Sequence, residues 1–283
     1  MVETPNWEII LGKLHSKQDL LKAEAVWAMQ EMMSGEADSD VVASFLLALR
    51  AKGESPAEIS GLVDVMLANS VKVPVSDDAV DIVGTGGDQL GTVNISTMAA
   101  IVTAACGVPV LKHGSRSASG KTGSSEFLEA LGIKLDLAPE RLAEIFAKLG
   151  ITFFFAPLFH PALKHVAQIR KQLGVPTTFN FLGPMANPVQ PLATALGVAN
   201  AAIMGIICEQ MAQRGRTAII FRGNDGLDEL TITGNSSVIL VKNGQTESLE
   251  FDPNLIGISR ADISALIGGD AAENSGIARQ LFS

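Results

Sequence analysis

Apolar residues recur at helical spacing through the first seventy positions. After Ser16, one run passes through Leu20, Leu21, Ala25, Trp27 and Met32 and is closed by Gly35; Asp38 and Ser39 open a second through Val42, Phe45, Leu46 and Leu49. Ser55-Pro56-Ala57-Glu58 then supplies a capping Ser, Pro at the first helical position and Glu at the third, so the spacing predicts a helix start. Together these runs predict a small all-helical unit over residues 1–72.

From Ala79 the pattern changes to short β-rich runs alternating with helices. Strands are predicted over 79–83, 108–112, 151–156, 194–198, 217–222, 237–241 and 247–251, and helices over 95–106, 139–149, 161–173, 201–213 and 259–266. Strand-helix-strand alternation implies an α/β domain over 73–283 with a mostly parallel central sheet. Asn243-Gly244 between the last two strands predicts a tight hairpin turn.

With 283 residues, 47% of them apolar, the chain can bury one large core, or one large and one small. It has no uncharged apolar run of membrane-spanning length and no basic flank leading into a hydrophobic N-terminal stretch, which points to a cytoplasmic protein. Cys106 and Cys208 lie far apart in apolar helical patterns, outside any Cys/His cluster, and both are expected to be buried. A net charge of -9 with 21 basic residues argues against a general cationic surface for nucleic acid.

Four constellations change this picture. Asp81-Ile82-Val83-Gly84-Thr85-Gly86-Gly87-Asp88, followed by Gly91-Thr92-Val93-Asn94-Ile95-Ser96-Thr97, places strand, glycine loop and helix N-terminus in series. Free amides and the helix dipole there suit an anion, although the spacing matches neither a dinucleotide fingerprint nor a P-loop. A glycine-rich turn with Asn94 or Ser96 as a plain helix cap is the alternative. Lys112-His113-Gly114-Ser115-Arg116-Ser117-Ala118-Ser119-Gly120-Lys121-Thr122-Gly123-Ser124-Ser125 sets cations among small hydroxyl residues at the end of the next strand, where it can wrap a phosphate or remain a solvated loop.

Asp225, Asp228 and Glu229 follow the strand at 217–222 and can hold Mg²⁺ through one or two oxygens, or form an exposed acidic turn. Finally, the helix over 161–173 turns Ala162, Val166 and Ile169 toward a core and leaves His165 and Arg170 elsewhere; Arg170 can grip a carboxylate with two prongs or sit on the surface. His160 and His165, five apart, do not share a helical face as zinc ligands would.

Through Gly84-Thr85-Gly86-Gly87-Asp88, Asn94-Ile95-Ser96-Thr97, Lys112-His113-Gly114, Phe179-Asn180-Phe181-Leu182-Gly183-Pro184 and Asp228-Glu229, the chain resembles the anthranilate phosphoribosyltransferase family over nearly its whole length. The resemblance implies transfer of the phosphoribosyl group of phosphoribosyl pyrophosphate (PRPP) to anthranilate, in tryptophan biosynthesis. It implies a homodimer whose subunits join a small helical domain, with a contribution from about 162–180, to a larger α/β domain truncated at the C-terminus relative to the family.

By the same resemblance, Gly84, Gly86, Gly87, Asp88, Thr92, Asn94, Ile95, Ser96, Thr97, Lys112, His113, Gly114, Ser119, Gly120 and Ser124 surround PRPP. Ser96, Asp228 and Glu229 hold Mg²⁺; Gly84, Ser115 and Arg170 meet anthranilate; Lys112, Asp228 and Glu229 are the catalytic set. The family normally has Asn where this chain has Ser115, and Ser where it has Gly120. Two other readings stand beside it: a pyrimidine-nucleoside phosphorylase-like enzyme, and a non-catalytic paralogue that binds a phosphorylated ligand or single-stranded nucleic acid.

Overall fold

The computed structural model describes residues 4–117 and 120–283. Four helices open the chain: α1 (Trp7–His15), α2 (Lys22–Ser34), α3 (Ser39–Lys52) and α4 (Pro56–Ala68). The start of α4 is the expected one, with Ser55 Oγ accepting from Glu58 N and Glu58 Oε2 accepting from Ser55 N at 2.7 Å. Glu58 is wholly buried because its other oxygen accepts from Leu20 N at 2.8 Å and Lys52 Nζ lies 2.9 Å away. A buried carboxylate persists only when its oxygens are so satisfied.

The expected helix after Ser16 is corrected. Ser16 ends α1, its N–H donating to Gly12 O, and α2 begins only at Lys22, where Leu21 N donates to Glu24 Oε2 at 2.8 Å. Helix α1 is not among the predicted elements, yet Asn6 caps it by accepting from Ile9 N at 3.0 Å.

The α/β part follows as β1 (Val80–Gly84), α5 (Ile95–Ala105), β2 (Val110–Gly114), α6 (Ser124–Ala130), α7 (Pro139–Leu149), β3 (Ile151–Phe155), α8 (Ala156–Phe159), α9 (Lys164–Leu173) and α10 (Phe179–Leu182). It continues with β4 (Ala193–Gly197), α11 (Ala201–Gln213), β5 (Thr217–Gly223), β6 (Ser236–Lys242), β7 (Gln245–Phe251) and α12 (Ala271–Leu281). The sheet runs β3-β2-β1-β4-β5-β6-β7, with β1 to β5 parallel and the last two strands antiparallel. The hairpin turn is where it was expected, Asn243 and Gly244 both taking the positive φ that such a turn requires.

Three further expectations differ. Residues 259–266 form only a short 3₁₀ turn at Ile263–Leu266, because the segment must run beside the glycine loop, where Val93 N donates to Leu266 O. Helix α6 occupies what reads in the sequence as the end of a loop; Phe127 and Leu128 are buried beneath it, and Glu126 Oε2 accepts from Gly123 N at 3.1 Å. Cys208 is buried but Cys106 is exposed, since it caps the end of α5 on the outer face that also exposes Val102.

Helix α9 leaves the sheet and packs on α2 and α3, and α10 and α11 pack on α4. One continuous core therefore runs from Phe45 and Leu62 in the helical domain to Leu196 and Ile220 in the sheet. That shared core holds the two domains in fixed relation.

Candidate active site

Four parallel strands, β1, β2, β4 and β5, end in glycine: Gly84, Gly114, Gly197 and Gly223. Their carboxyl ends form one rim of the sheet, where open α/β sheets bind ligands. The glycines are there for clearance. A Cβ at Gly84 would lie 2.4 Å from Asp228 Oδ2, and one at Gly197 only 1.6 Å from the Asp228 carbonyl oxygen. The Asp228-Glu229 segment thus folds down onto the ends of β1 and β4, and no larger residue leaves it room.

Above this rim lies a cavity of about 650 Å³. Every described candidate residue except Asp225 lines it: the loop from Gly84 to Asp88, Thr92 to Thr97, Lys112 to Ser115, Gly120, Ser124, Arg170, Asp228 and Glu229. Ser119 lies outside the described residues. Gly86, Gly87, Gln89 and Gly91 all have positive φ, so the loop turns repeatedly at left-handed residues, a geometry that can point backbone amides at an anion. Asn94 sits at the N-cap of α5 without making a cap bond; its side chain donates to Thr122 O at 3.1 Å instead.

Asp228 Oδ2 accepts from Gly86 N at 2.6 Å, which ties the acidic segment to the glycine loop. Burial, followed by the neighbouring Asp88, pushes the Asp228 carboxyl up to about 7; burial, followed by Asp228, pushes Glu229 up to about 8. Lys112 is buried, donates to Ile82 O and lies 3.5 Å from Ser96 Oγ; loss of hydration lowers its pKa, and the charges of Asp81 and Glu229 oppose that fall. Asp225, the third carboxylate of its cluster, is elsewhere: it accepts from Thr231 and Thr233 hydroxyls at 2.6 Å and organises its own turn.

Asp81, absent from the candidate set, is almost fully buried under this floor and accepts from Asn187 Nδ2 at 2.8 Å and His113 N at 3.3 Å. Burial raises its pKa to about 6. His113 is pushed down to about 3 by burial, with the nearby His160 adding to the effect, and is neutral; its Nδ1–H donates to Gly183 O at 3.2 Å. Among the described residues, His113 Nε2 and Thr97 Oγ1 are buried and have no partner in the protein, and both residues line the cavity.

The part of the cavity lined by helices carries apolar walls, with Lys164, Arg170 and Asn180 among them. Met66, Pro157, Leu163, Ala167 and Phe179 form its walls, drawn from α4, α8, α9, α10 and the 3₁₀ turn before α9. Arg170 is half-buried there, its guanidinium carbon 5.3 Å from the Phe179 ring centre and one NH₂ donating to Asn180 Oδ1 at 3.3 Å. The sequence pattern flags Arg170 but not Met66, Pro157, Leu163 or Ala167. Isolated apolar residues in helices carry no local mark of lining a cavity.

The curated relatives decide the family. The anthranilate phosphoribosyltransferase of Acidothermus cellulolyticus is 50% identical over 281 residues, covering 99% of this chain and 79% of the relative. That of Leifsonia xyli is 50% identical over 283 residues, covering all of this chain and 81% of the relative.

The chain belongs to the anthranilate phosphoribosyltransferase family.

Two family models agree, the helical bundle domain of a glycosyl transferase family over residues 8–70 and its a/b domain over 76–283. Among solved anthranilate phosphoribosyltransferases, the Thermus thermophilus structure is 40% identical with a TM-score of 0.88, over 96% of this chain and 82% of its own. The Saccharomyces cerevisiae structure, in complex with PRPP and Mg, is 28% identical with the same TM-score, over 97% and 80%. Among the described residues, no helix is long and apolar enough to cross a membrane.

Proposed function

We propose that the chain transfers the phosphoribosyl group of PRPP to anthranilate, giving N-(5-phosphoribosyl)anthranilate and pyrophosphate, with Mg²⁺ as cofactor. The observation that carries this reading is one cavity with two unlike ends: glycine loop, buried lysine and acidic pair at one, apolar walls around an arginine at the other. A polyanion suits the first end. A flat aromatic acid suits the second, its ring against Met66 and Phe179 and its carboxylate on Arg170.

The acidic pair fits a divalent cation. Two adjacent carboxyls whose burial favours the neutral form are a site that a cation would relieve. Asp228, Glu229 and Ser96 would hold the ion, which supplies neutralising charge for the departing pyrophosphate.

In the reaction the bond between ribose C1 and the pyrophosphate oxygen breaks as the amine nitrogen bonds to C1. Pyrophosphate leaves with the bonding pair, and the surplus amine proton passes to water or to the leaving group. An aromatic amine is uncharged at pH 7, so the site needs no strong base. The amides of loop 84–88 and the Lys112 ammonium stabilise the growing negative charge, and the apolar walls hold the nitrogen beside C1. Within this reading Gly84, Gly86, Gly87, Asp88, Thr92, Asn94, Ile95, Thr97, His113, Gly114, Gly120, Ser124 and Ser119 surround PRPP, while Gly84, Ser115 and Arg170 face anthranilate. It also assigns residues 1–72, with about 162–180, to the helical domain and 73–283 to the α/β domain, supported by the packing of α9 on α2 and α3. A cytoplasmic homodimer completes it.

The test follows anthranilate fluorescence with purified protein, PRPP and Mg²⁺, beside a control with excess EDTA. Loss of signal only with metal supports the reading. No loss, with PRPP binding intact by calorimetry, overturns anthranilate as the acceptor.

A further inference from the structure

Asn274, in the first turn of α12, is 1% exposed and lies 180 positions along the chain from the site residue it touches. Its Nδ2 donates to Asn94 Oδ1 at 2.9 Å, and its Oδ1 accepts from Gly269 N at 2.7 Å. Asn94 Nδ2 donates in turn to Thr122 O at 3.1 Å, and Thr122 Oγ1 donates to Gly269 O at 2.9 Å. Asn274, Asn94, Thr122 and Gly269 therefore form a closed ring of four hydrogen bonds.

The ring has one direction. Gly269 N can only donate, so Asn274 must present its oxygen there and its NH₂ to Asn94; Asn94 must then present its NH₂ to the Thr122 carbonyl. Reversing either carboxamide would set acceptor against acceptor or donor against donor. The second N–H of Asn94 is not used by the ring and remains for a ligand in the cavity that Asn94 lines.

Packing keeps Asn274 in place. The segment before α12 pairs with the glycine loop through Gly268 N to Gly91 O and Val93 N to Leu266 O, both 2.9 Å. A Cβ at Gly268 would sit 2.5 Å from Asn274 Oδ1 and 2.9 Å from Val93 N, so this approach tolerates only glycine. Ala278, one helical turn beyond Asn274, is buried in the cluster that holds Phe127 and Leu128 of α6. Helix α12 is thus anchored to the element that follows the basic loop.

We propose that Asn274 is a positioning residue for the phosphoribosyl donor: through Asn94 and Thr122 it locks the glycine loop and the basic loop to one another across the phosphate end of the cavity. It touches no ligand itself. The proposal rests on the reading of this cavity as a PRPP site, but the lock is a property of the protein alone and is measurable without turnover.

The experiment compares the full chain with Asn274→Asp, Asn274→Ala, Thr122→Val and the double variant Asn274→Ala/Thr122→Val. As a carboxylate, at about pH 8 or above, aspartate still accepts from Gly269 N but cannot donate to Asn94, so it opens the ring; Asn274→Ala opens it without charge. KM for PRPP should rise about 10- to 100-fold in Asn274→Asp and in Asn274→Ala, with KM for anthranilate little changed; the thermal midpoint should fall further in Asn274→Asp, whose carboxylate is buried. Thr122→Val breaks the same ring without adding charge, so the double variant should lose far less than the product of the single losses.

Amide exchange in the unliganded protein should be about 10-fold faster over residues 120–125 in Asn274→Asp, and unchanged over the β6–β7 hairpin. Unaltered exchange there, a PRPP KM within about twofold of the parent, or losses that multiply in the double variant would each overturn the proposal. A parent chain that consumes no anthranilate would sink the functional reading instead, and the exchange result would still judge the lock.

Discussion

The two ends of the cavity are built by opposite means. At the phosphate end the chain works with backbone and buried charge: glycines that end β1 and β4 leave room for Asp228-Glu229, and a loop of left-handed residues offers amides. At the acceptor end it works with side chains from helices, Met66, Leu163, Ala167, Arg170 and Phe179, carried by elements that pack on the helical domain. A polyanion needs many fixed dipoles, which a sheet edge supplies without ordering long side chains. A small aromatic acid needs a flat apolar slot and one cation, which helices can supply from any point of the sequence.

The sharpest way to break this comparison is to neutralise the acidic pair. Asp228→Asn with Glu229→Gln should lower kcat/KM by at least about 1000-fold, since charge stabilisation at the leaving group disappears; near-normal turnover would remove the metal role. Gly197→Ala comes next, because its Cβ would need the space of the Asp228 carbonyl, 1.6 Å away. It should lower kcat/KM about 100-fold and unfolding free energy by roughly 1–3 kcal/mol, read by denaturant titration. A full-activity Gly197→Ala would show that the acidic segment is free to shift.

Arg170→Ala addresses the other end. Losing a charge-assisted contact of about 1.5–3 kcal/mol should raise KM for anthranilate roughly 10- to 100-fold and leave KM for PRPP unchanged. The reverse pattern would mean the two ends have been assigned the wrong way round.

The pH dependence separates the ends by stability. Asp228 and Glu229 titrate near 7 and 8 in the folded chain, against 3.8 and 4.5 for the free side chains. The folded state therefore binds more protons between those values, and metal-free stability falls as pH rises from about 4 to about 8. Mg²⁺ should offset that fall, raising the thermal midpoint by on the order of 2–4 °C more at pH 8 than at pH 5. An equal rise at both values would place the ion away from these carboxyls. Met66→Ala should be the mildest change, weakening anthranilate binding about fivefold through lost apolar contact. An unaltered KM would take Met66 out of the acceptor wall.

Much of the phosphate end is legible in the sequence, because its parts are contiguous. Gly84-Thr85-Gly86-Gly87-Asp88 starts at the last residue of β1 and Lys112-His113-Gly114 ends β2, and the pairing of these adjacent parallel strands brings the two segments side by side. The acidic triplet is only partly legible: Asp225 looks like its neighbours in sequence, and only the turn shows it committed to Thr231 and Thr233. Helices α1 and α6 leave weaker traces, a capping Asn6 and a glycine-led start at Gly123, too slight for apolar spacing alone to mark them.

What the sequence by itself determined is local: helix caps at Asp38 and Ser55, the Asn243-Gly244 turn, alternating strands and helices, and glycines where a phosphate loop needs them. These depend on interactions within a few residues, which sequence spacing encodes directly. Only the tertiary structure decided which helices α9 packs on, α2 and α3, that Met66 and Phe179 line the same cavity, and that Asn274 closes a ring with Asn94 from the far end of the chain. Those pairings join residues up to 180 positions apart, and nothing in either partner's neighbourhood names the other; they exist because packing two domains around one core brings distant segments together and buries Asn274 beside Asn94, where each carboxamide has to find a partner.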